Sequence, residues 1–173
     1  ISISFSDETA IANSGYGMFP KDFTLEAYRA IFKNPTYLFS AYRVSILVTS
    51  IGTFAGTFIM AMLAFPLSRK DFSWGLVISF IVYFTMLFRG GLVPTYIVIT
   101  QVLHLKNTLW VLILPLLVNA WHVFLLRSYF SSIPFEIIES VKMDGGNEFL
   151  IFSRFVLPLA KAGVAAIALL LAL

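Results

Sequence analysis

The side chains of this chain that could do chemistry lie in three places. Between Glu139 and Pro158, a Glu is followed by Asp144-Gly145-Gly146 and then by Leu157-Pro158. Asn119 and His122 lie inside an apolar run, and Arg89 precedes a pair of glycines. None of these places combines clustered carboxylates or a nucleophile with a base, as covalent catalysis requires. We therefore expect a chain that is not an enzyme.

Several other function classes are excluded by composition. There is no Cys, and the two His are too isolated in the sequence to form a metal site. The net charge of +3 is small and scattered, which argues against binding of nucleic acid. The chain carries no glycine-rich Walker A pattern, so it lacks the loop that commonly binds nucleotide phosphates.

The composition indicates a membrane protein. Hydrophobic residues make up 59% of the 173 residues, charged residues only 12%, and the mean hydropathy is +0.89. Soluble domains carry about twice that share of charge. We expect an all-α, polytopic protein, since helices satisfy every backbone polar group within lipid.

Uncharged runs predict the membrane spans. A spanning helix needs about 20 apolar residues. The last run, 162–173, would cover only about 18 Å at a rise of 1.5 Å per residue, so we expect it to be part of a longer helix. The predicted spans are 42–67, 74–102 with a break at 89–94, 108–127 and a truncated span at 159–173.

Two polar segments lie outside these spans. Residues 1–37 are mixed in character and contain a short amphipathic pattern at Phe23–Phe32 that predicts a helix. Residues 131–158 predict a helix, a turn at Asp144-Gly145-Gly146, and a second helix with Asn147 as its N-cap. The twelve Lys and Arg divide evenly between the two sides, so the positive-inside rule leaves orientation open.

The segment 131–158 carries apolar faces at helical spacing. Phe135 and Ile138 share one face, and Phe149, Phe152 and Val156 share another. Apolar faces of this size call for a protein partner. The alternative is an amphipathic connector that lies on the lipid surface.

The spacing of Glu139, Gly145, Leu157 and Pro158 resembles the EAA loop of ABC-importer permeases. That loop reads Glu-Ala-Ala, three residues, Gly, nine residues, Ile, any residue, Leu-Pro. Here Ser140 and Val141 replace the two Ala, and Phe155 replaces Ile. The resemblance implies that the loop docks a cytoplasmic ATPase through these residues: Glu139, Asp144, Gly145, Gly146, Phe149, Phe152, Leu157 and Pro158.

Further segments resemble the carbohydrate permeases of this group, similar to maltose transporters. They are Phe23–Tyr28, Ala64–Arg69 and Phe88–Tyr96, the last resembling an oligosaccharide subgroup. The resemblance implies a type I ABC-importer permease fold, with one more span before Ile1 and one after Leu173. It also implies a multi-pass location in the bacterial cytoplasmic membrane, with residues 1–37 outside and the Glu139 loop in the cytoplasm.

The same resemblance implies a set of partners. They are a second permease subunit, a cytoplasmic ATPase dimer, an extracellular sugar-binding protein and an oligosaccharide cargo. This chain would bind no cofactor itself, since ATP and Mg²⁺ would sit on the ATPase.

The polar residues within the spans leave alternatives open. Asn119 and His122 could line the sugar path or make a hydrogen bond between helices. Thr53 and Thr57, beside Gly52 and Gly56, favour close helix packing over substrate contact. Arg89 could contact the binding protein or an acidic sugar, or its side chain could extend to the membrane interface.

Two rival functions remain for the whole chain. A secondary transporter would be expected to carry ionisable residues at mid-membrane depth, and full charges are missing from the predicted spans there. An ABC permease for another solute, such as an amino acid or a peptide, differs only in the segments that resemble sugar permeases. Oligosaccharide import is therefore the favoured interpretation.

Overall fold

The computed structural model describes residues 24–33, 35–88 and 90–173. It divides into two units, Ile1–Leu47 and Val48–Leu173. The predicted pattern at Phe23–Phe32 lies only partly within the described residues, and Arg89 lies outside them. Every regular element of the described residues is a helix.

The first described helix, α1, spans Glu26–Lys33, and α2 spans Pro35–Ser68. At 1.5 Å per residue, the 34 residues of α2 extend over roughly 50 Å, well beyond the hydrocarbon core of a bilayer. The predicted span at 42–67 lies wholly inside this helix. Pro66 lies in the last turn of α2, and the Arg69 amide donates to the Pro66 carbonyl at 3.2 Å just beyond the helix end.

The next two helices are α3, Gly75–Leu87, and α4, Leu92–Ile97, which continues as a π-helix over Val98–Val102. Gly91 lies between them with φ +80°, a backbone conformation that favours glycine. Neither helix contains a buried residue. Their apolar side chains are therefore available to lipid or to another protein.

The run predicted as one span at 108–127 is two helices. Helix α5, Trp110–Ile113, continues as a 3₁₀ turn over Leu114–Leu116, and α6 spans Ala120–Ser131. The two pieces are bent by 52°. Asn119 caps the second piece, and the predicted span at 108–127 corresponds to this bent pair if the two pieces are counted together.

The remaining helices belong to the segment after α6. Helix α7 spans Phe135–Met143, and α8 spans Glu148–Leu150 and continues as a π-helix over Ile151–Val156. Helix α9, Leu157–Leu159, follows directly, and α10 spans Lys161–Ala172 at 82° to the preceding piece.

The core of the second unit is formed by α2, α6, the α7–α9 segment and α10. Its fully buried side chains include Met60, Leu126, Ile151, Val156 and Ile167. Within the described residues, α2 alone is long and apolar enough to cross a membrane, and up to four spans result if each bent pair counts as one.

Candidate functional site

The turn after α7 is closed by a pair of backbone hydrogen bonds. The Gly146 amide donates to the Val141 carbonyl at 2.9 Å, and the Gly145 amide donates to the Lys142 carbonyl at 3.0 Å. This is the Schellman arrangement, which satisfies the free carbonyls at a helix end. It requires a left-handed residue, and Gly145 supplies it with φ +82°.

The second arm begins at its own cap. The Asn147 side chain accepts a hydrogen bond from the Leu150 amide at 2.8 Å, as predicted. Glu148 occupies the first turn, where a negative charge is favoured by the helix dipole. Residues 135–159, here called the docking loop, are therefore two helical arms joined by a tight turn.

The docking loop buries one set of apolar side chains and exposes another. Ile138, Ile151, Phe152 and Val156 are buried within the chain. The Phe152 ring lies 5.4 Å from that of Phe65 and 6.4 Å from that of Phe58, centroid to centroid. The expectation that the face of Phe152 and Val156 is exposed was wrong, because α2 covers it.

The exposed set lies around the turn. Met143 is 87% exposed and Phe149 is 62% exposed. Glu139, Asp144 and Pro158 are also exposed, and among the ion pairs of the described residues none involves Glu139. The tip of the loop thus presents two large apolar side chains beside carboxylates.

Four charged side chains form a closed ring between α2 and the docking loop. Arg69 pairs with both Asp71 and Glu148, and Lys142 pairs with the same two carboxylates at 3.2 Å and 3.1 Å. Signs alternate around the ring, so each cation contacts two anions and each anion two cations. We call this set, Arg69, Asp71, Lys142 and Glu148, the charge ring.

The charge ring shifts the titration of its members. Hydrogen bonds from Arg69 lower the pKa of Asp71 to about 2, against the opposing effect of burial. The hydrogen bond to Glu148 raises the pKa of Lys142, and the bond to Asp71 raises that of Arg69. These three groups therefore stay charged at neutral pH.

An apolar pocket of about 460 Å³ opens beside the ring. Its walls are aromatic and aliphatic side chains of α2 and the docking loop, and three members of the charge ring lie at its margin. The lining residues are Met62, Phe65, Pro66, Arg69, Asp71, Phe72, Glu148, Phe149 and Phe152.

The residues predicted for a substrate path are placed by α6. The Asn119 side chain accepts from the Trp121 amide at 2.9 Å, so it is the N-cap of this helix. The Nδ1 of His122 is buried and has no hydrogen-bond partner among the described residues. Asn119 and His122 thus share the first turn of α6, while Arg89 lies outside the described residues.

The hydroxyl groups of α2 line a separate pocket of about 530 Å³ against α10. Thr49, Ser50, Thr53 and Thr57 contribute to it, and the Oγ1 atoms of Thr53 and Thr57 are buried without a partner in the described part of the chain. A Cβ on nearby Gly56 would lie 3.0 Å from the Leu117 carbonyl oxygen. Gly56 is therefore closely packed against its neighbours, whereas the threonines line the pocket.

The charge ring was missed from the sequence. Arg69 and Glu148 are 79 positions apart, and Lys142 and Asp71 are 71 apart. The available signal was the placement of Arg69 and Asp71 at the end of a long apolar run, together with opposite charges flanking the glycine turn. That signal does not specify which charges meet.

Comparisons with known proteins identify relatives of this chain. The chain is 39% identical over 166 residues to protein LplC of Bacillus subtilis, a match covering 96% of the chain and 56% of that protein. It is 38% identical over 169 residues to the polygalacturonan/rhamnogalacturonan transport system permease protein YtcP of the same organism, covering 98% and 58%. No protein-family model matches the chain.

A solved structure shares the fold. It is a bacterial ABC transporter involved in the import of the acidic polysaccharide alginate, with a TM-score of 0.82 and 29% identity over 99% of this chain and 60% of that one. Fold and loop together define a membrane permease of the ABC class. The chain belongs to the family of carbohydrate ABC-importer permease subunits.

Family membership confirms two predictions. The all-α, polytopic permease fold is correct, and the protein is a multi-pass protein of the cytoplasmic membrane. The subunits to which it is related are transport components. The chain spans less than 60% of the length of the two relatives described, so the activity of the whole protein is a matter for proposal.

Proposed function

We propose that this chain forms part of the pathway of an ABC importer for oligosaccharides, and that its docking loop receives a partner ATPase in the cytoplasm. The observation that carries the proposal is the shape of the loop tip. A turn held by two backbone hydrogen bonds displays Met143 and Phe149 beside Glu139, which makes no ion pair within the described part of the chain.

The docking loop is anchored within the chain and leaves its tip exposed for a protein partner. Ile138, Phe152 and Val156 anchor it in the chain's own core, so its position does not depend on lipid contact. An amphipathic connector on a membrane surface would direct its large apolar side chains into lipid. Here the loop instead separates a buried apolar face from an exposed tip, which favours a protein partner.

The chemistry of the tip suggests what the partner offers. Glu139, Asp144 and Glu136 are exposed carboxylates, so a complementary cleft would carry basic side chains. Met143 and Phe149 would fill apolar pockets there. Closure of two ATPase subunits on ATP would then move the loop and tilt the spans, which gives alternating access without ATP chemistry in this chain.

The cargo is proposed from the relatives. One is named for transport of polygalacturonan and rhamnogalacturonan, and the solved structure is described as an alginate importer. An oligosaccharide delivered by an extracellular sugar-binding protein fits both. A second permease subunit would complete the pathway, and Asn119, His122 and Arg89 remain candidates to line it.

The first experiment isolates the complete transporter from a native membrane through a tag on this protein. We expect an ATPase, a second permease and a sugar-binding protein to be recovered with it. Uptake of oligosaccharides prepared from pectin and alginate would then identify the cargo. Recovery of the second permease without any ATPase would contradict the proposal.

The second experiment changes the docking tip. Glu139→Lys reverses the charge offered to the partner, and Gly145→Asp adds bulk and charge at the turn. Both variants should hydrolyse ATP without importing sugar, or lose the ATPase altogether. Exposed Lys106→Glu, outside the docking loop, is the charge-reversal control. Normal sugar uptake per ATP in both docking variants would contradict the assignment.

A further inference from the structure

We propose that the charge ring is the link through which movement of the docking loop reaches the spanning helix α2. This inference rests on the proposed function, because it concerns how docking is transmitted. Arg69 and Asp71 follow the last residue of α2, Lys142 belongs to the first arm of the loop, and Glu148 opens the second arm. The ring therefore joins three helices at one point.

The need for such a link follows from how the loop is attached. The chain connects its first arm to α6 through Ser132–Pro134 and its second arm to α10 through a sharp bend near Ala160. Two covalent attachments define an axis about which a rigid loop can rotate. A third attachment away from that axis prevents the rotation, so a push at the tip moves the helices.

The charge ring supplies the polar part of this third attachment. It lies over an apolar part, in which the Phe152 ring packs against Phe65 at 5.4 Å. The Arg69 guanidinium carbon lies 5.7 Å from the centroid of the same Phe65 ring, so the polar and apolar layers are in direct contact. Apolar packing resists separation, while directional hydrogen bonds also resist sliding.

Arg69 is the central member. Its side chain is only 6% exposed, whereas those of the other three are 37% to 58% exposed. Its Nε donates to Asp71 Oδ1 at 2.9 Å, and its two terminal nitrogens contact Asp71 and Glu148. The planar guanidinium holds both oxygens of Asp71 through two donors while a third nitrogen contacts Glu148, whereas the ammonium of Lys142 contacts each carboxylate as a point charge.

Lys142 closes the ring from the first arm. Without it, Asp71 and Glu148 would still meet through Arg69, but the first arm would have no ionic tie to the end of α2. The structure thus assigns Lys142 a positioning role in coupling, through its side-chain contacts with Asp71 and Glu148. Neighbouring Lys70 is exposed and takes part in none of the ion pairs among the described residues, which makes it a matched control.

The test uses the complete transporter reconstituted in proteoliposomes. We expect the Lys142→Met transporter to keep the ATPase subunit bound. The amount of sugar imported per ATP hydrolysed should fall roughly threefold, the size of effect expected when a modest ionic network is lost. Arg69→Lys should lower it as well, because the charge remains while the fork is lost. Lys70→Met should match the wild type.

Replacing the Asp71–Lys142 ion pair with a covalent cross-link distinguishes an effect on coupling from an effect on the stability of the protein. The 173 residues contain no Cys, so in a transporter whose other cysteines have been replaced, Asp71→Cys with Lys142→Cys provides the reactive pair of thiols. The double variant should couple poorly, and a short bifunctional methanethiosulfonate reagent should restore coupling by rejoining α2 to the loop. A reducing agent should abolish the rescue.

The outcomes distinguish the two proposals. If the wild-type protein holds no ATPase, the docking function is wrong and the ring inference falls with it. If Lys142→Met and the double cysteine variant keep both ATPase and normal coupling, only the ring inference is wrong. Loss of ATPase binding in Lys142→Met would also overturn it, because the ring would then act on docking itself.

Discussion

At the end of α7, two adjacent glycines are required for different reasons. Gly145 has φ +82° and open space around the position of a Cβ, so a side chain there meets only backbone strain. A Cβ on Gly146 would lie 2.6 Å from Val141 Cγ1 and 2.8 Å from its carbonyl oxygen. That second clash involves backbone, which cannot rotate away.

We therefore expect Gly146→Ala to damage the turn more than Gly145→Ala. The Gly145 change should cost about 1–2 kcal/mol, the usual penalty for an L-residue in the left-handed region. Thermal unfolding of the purified transporter would measure both. Gly145→Asn serves as the control, since Asn tolerates this region better than Ala does, and equal effects of the two alanine variants would contradict the argument.

The lowered pKa of Asp71 makes a prediction about acid stability. Because the pKa is about 2 in the folded chain and about 3.9 when unfolded, the ionised carboxylate stabilises the fold above pH 4. This stabilisation is lost as the pH falls from 4 towards 2. Asp71→Asn should therefore unfold at a lower temperature than the wild type at pH 6, and the difference should shrink below pH 4.

Unfolding midpoints of the two proteins in detergent, measured from pH 6 to pH 2, would show this. Lys70→Met provides the comparison, because it should show no such convergence. A constant difference between wild type and Asp71→Asn across the range would mean that Asp71 stabilises the fold by something other than its charge.

At the scale of helices, α2 contains two glycines one turn apart with different surroundings. A Cβ on Gly56 would meet Leu171 Cδ2 at 2.7 Å and the Leu117 carbonyl oxygen at 3.0 Å, whereas one on Gly52 would meet nothing within 4 Å. Gly56→Ala should therefore lower the unfolding temperature. Gly52→Ala should raise it or leave it unchanged, since Ala is favoured in helices by about 1 kcal/mol.

The unfolding temperatures of the two variants can be compared in the same detergent, since both substitutions lie in α2. A destabilised Gly52→Ala with an unaffected Gly56→Ala would show that the packing of α2 differs from that described. Helix–helix contact at Gly56 is the packing role that small-residue spacing predicts, and the absence of contact at Gly52 shows that spacing alone does not identify which glycine serves it.

Local signals in the sequence predicted local structure well. Asp144-Gly145-Gly146 indicated a turn and Asn147 a helix cap, because both depend on residues within a few positions of each other. The capping role of Asn119 was not predicted, since hydropathy does not distinguish a capping Asn from a buried one. The burial of Phe152 was also missed, because its cover comes from α2, more than 80 positions earlier.

At the scale of the whole molecule, the orientation implied by the resemblance predicts Met143 in the cytoplasm and Lys106 outside. Met143 is 87% exposed and Lys106 is exposed, so a cysteine at either position should react readily. In intact cells, a membrane-impermeant maleimide should label Lys106→Cys but not Met143→Cys. In inverted vesicles stripped of peripheral proteins, the pattern should reverse.

The same pair of variants tests the docking surface. Adding back the ATPase to stripped vesicles should protect Met143→Cys and leave a cysteine at the exposed loop residue Ser132 reactive. Labelling of Met143→Cys from outside intact cells would contradict the orientation predicted for the protein.

The charge ring also affects what the rest of the docking loop presents to its surroundings. Lys142 is committed to ring carboxylates, so the loop charges left over are Glu136, Glu139 and Asp144 against Arg154 alone. The loop's residual field is acidic. Ions at physiological strength screen such fields beyond about 8 Å. Added salt should therefore slow the encounter with an ATPase, while the lifetime of the joined complex, governed by Met143 and Phe149, should change little.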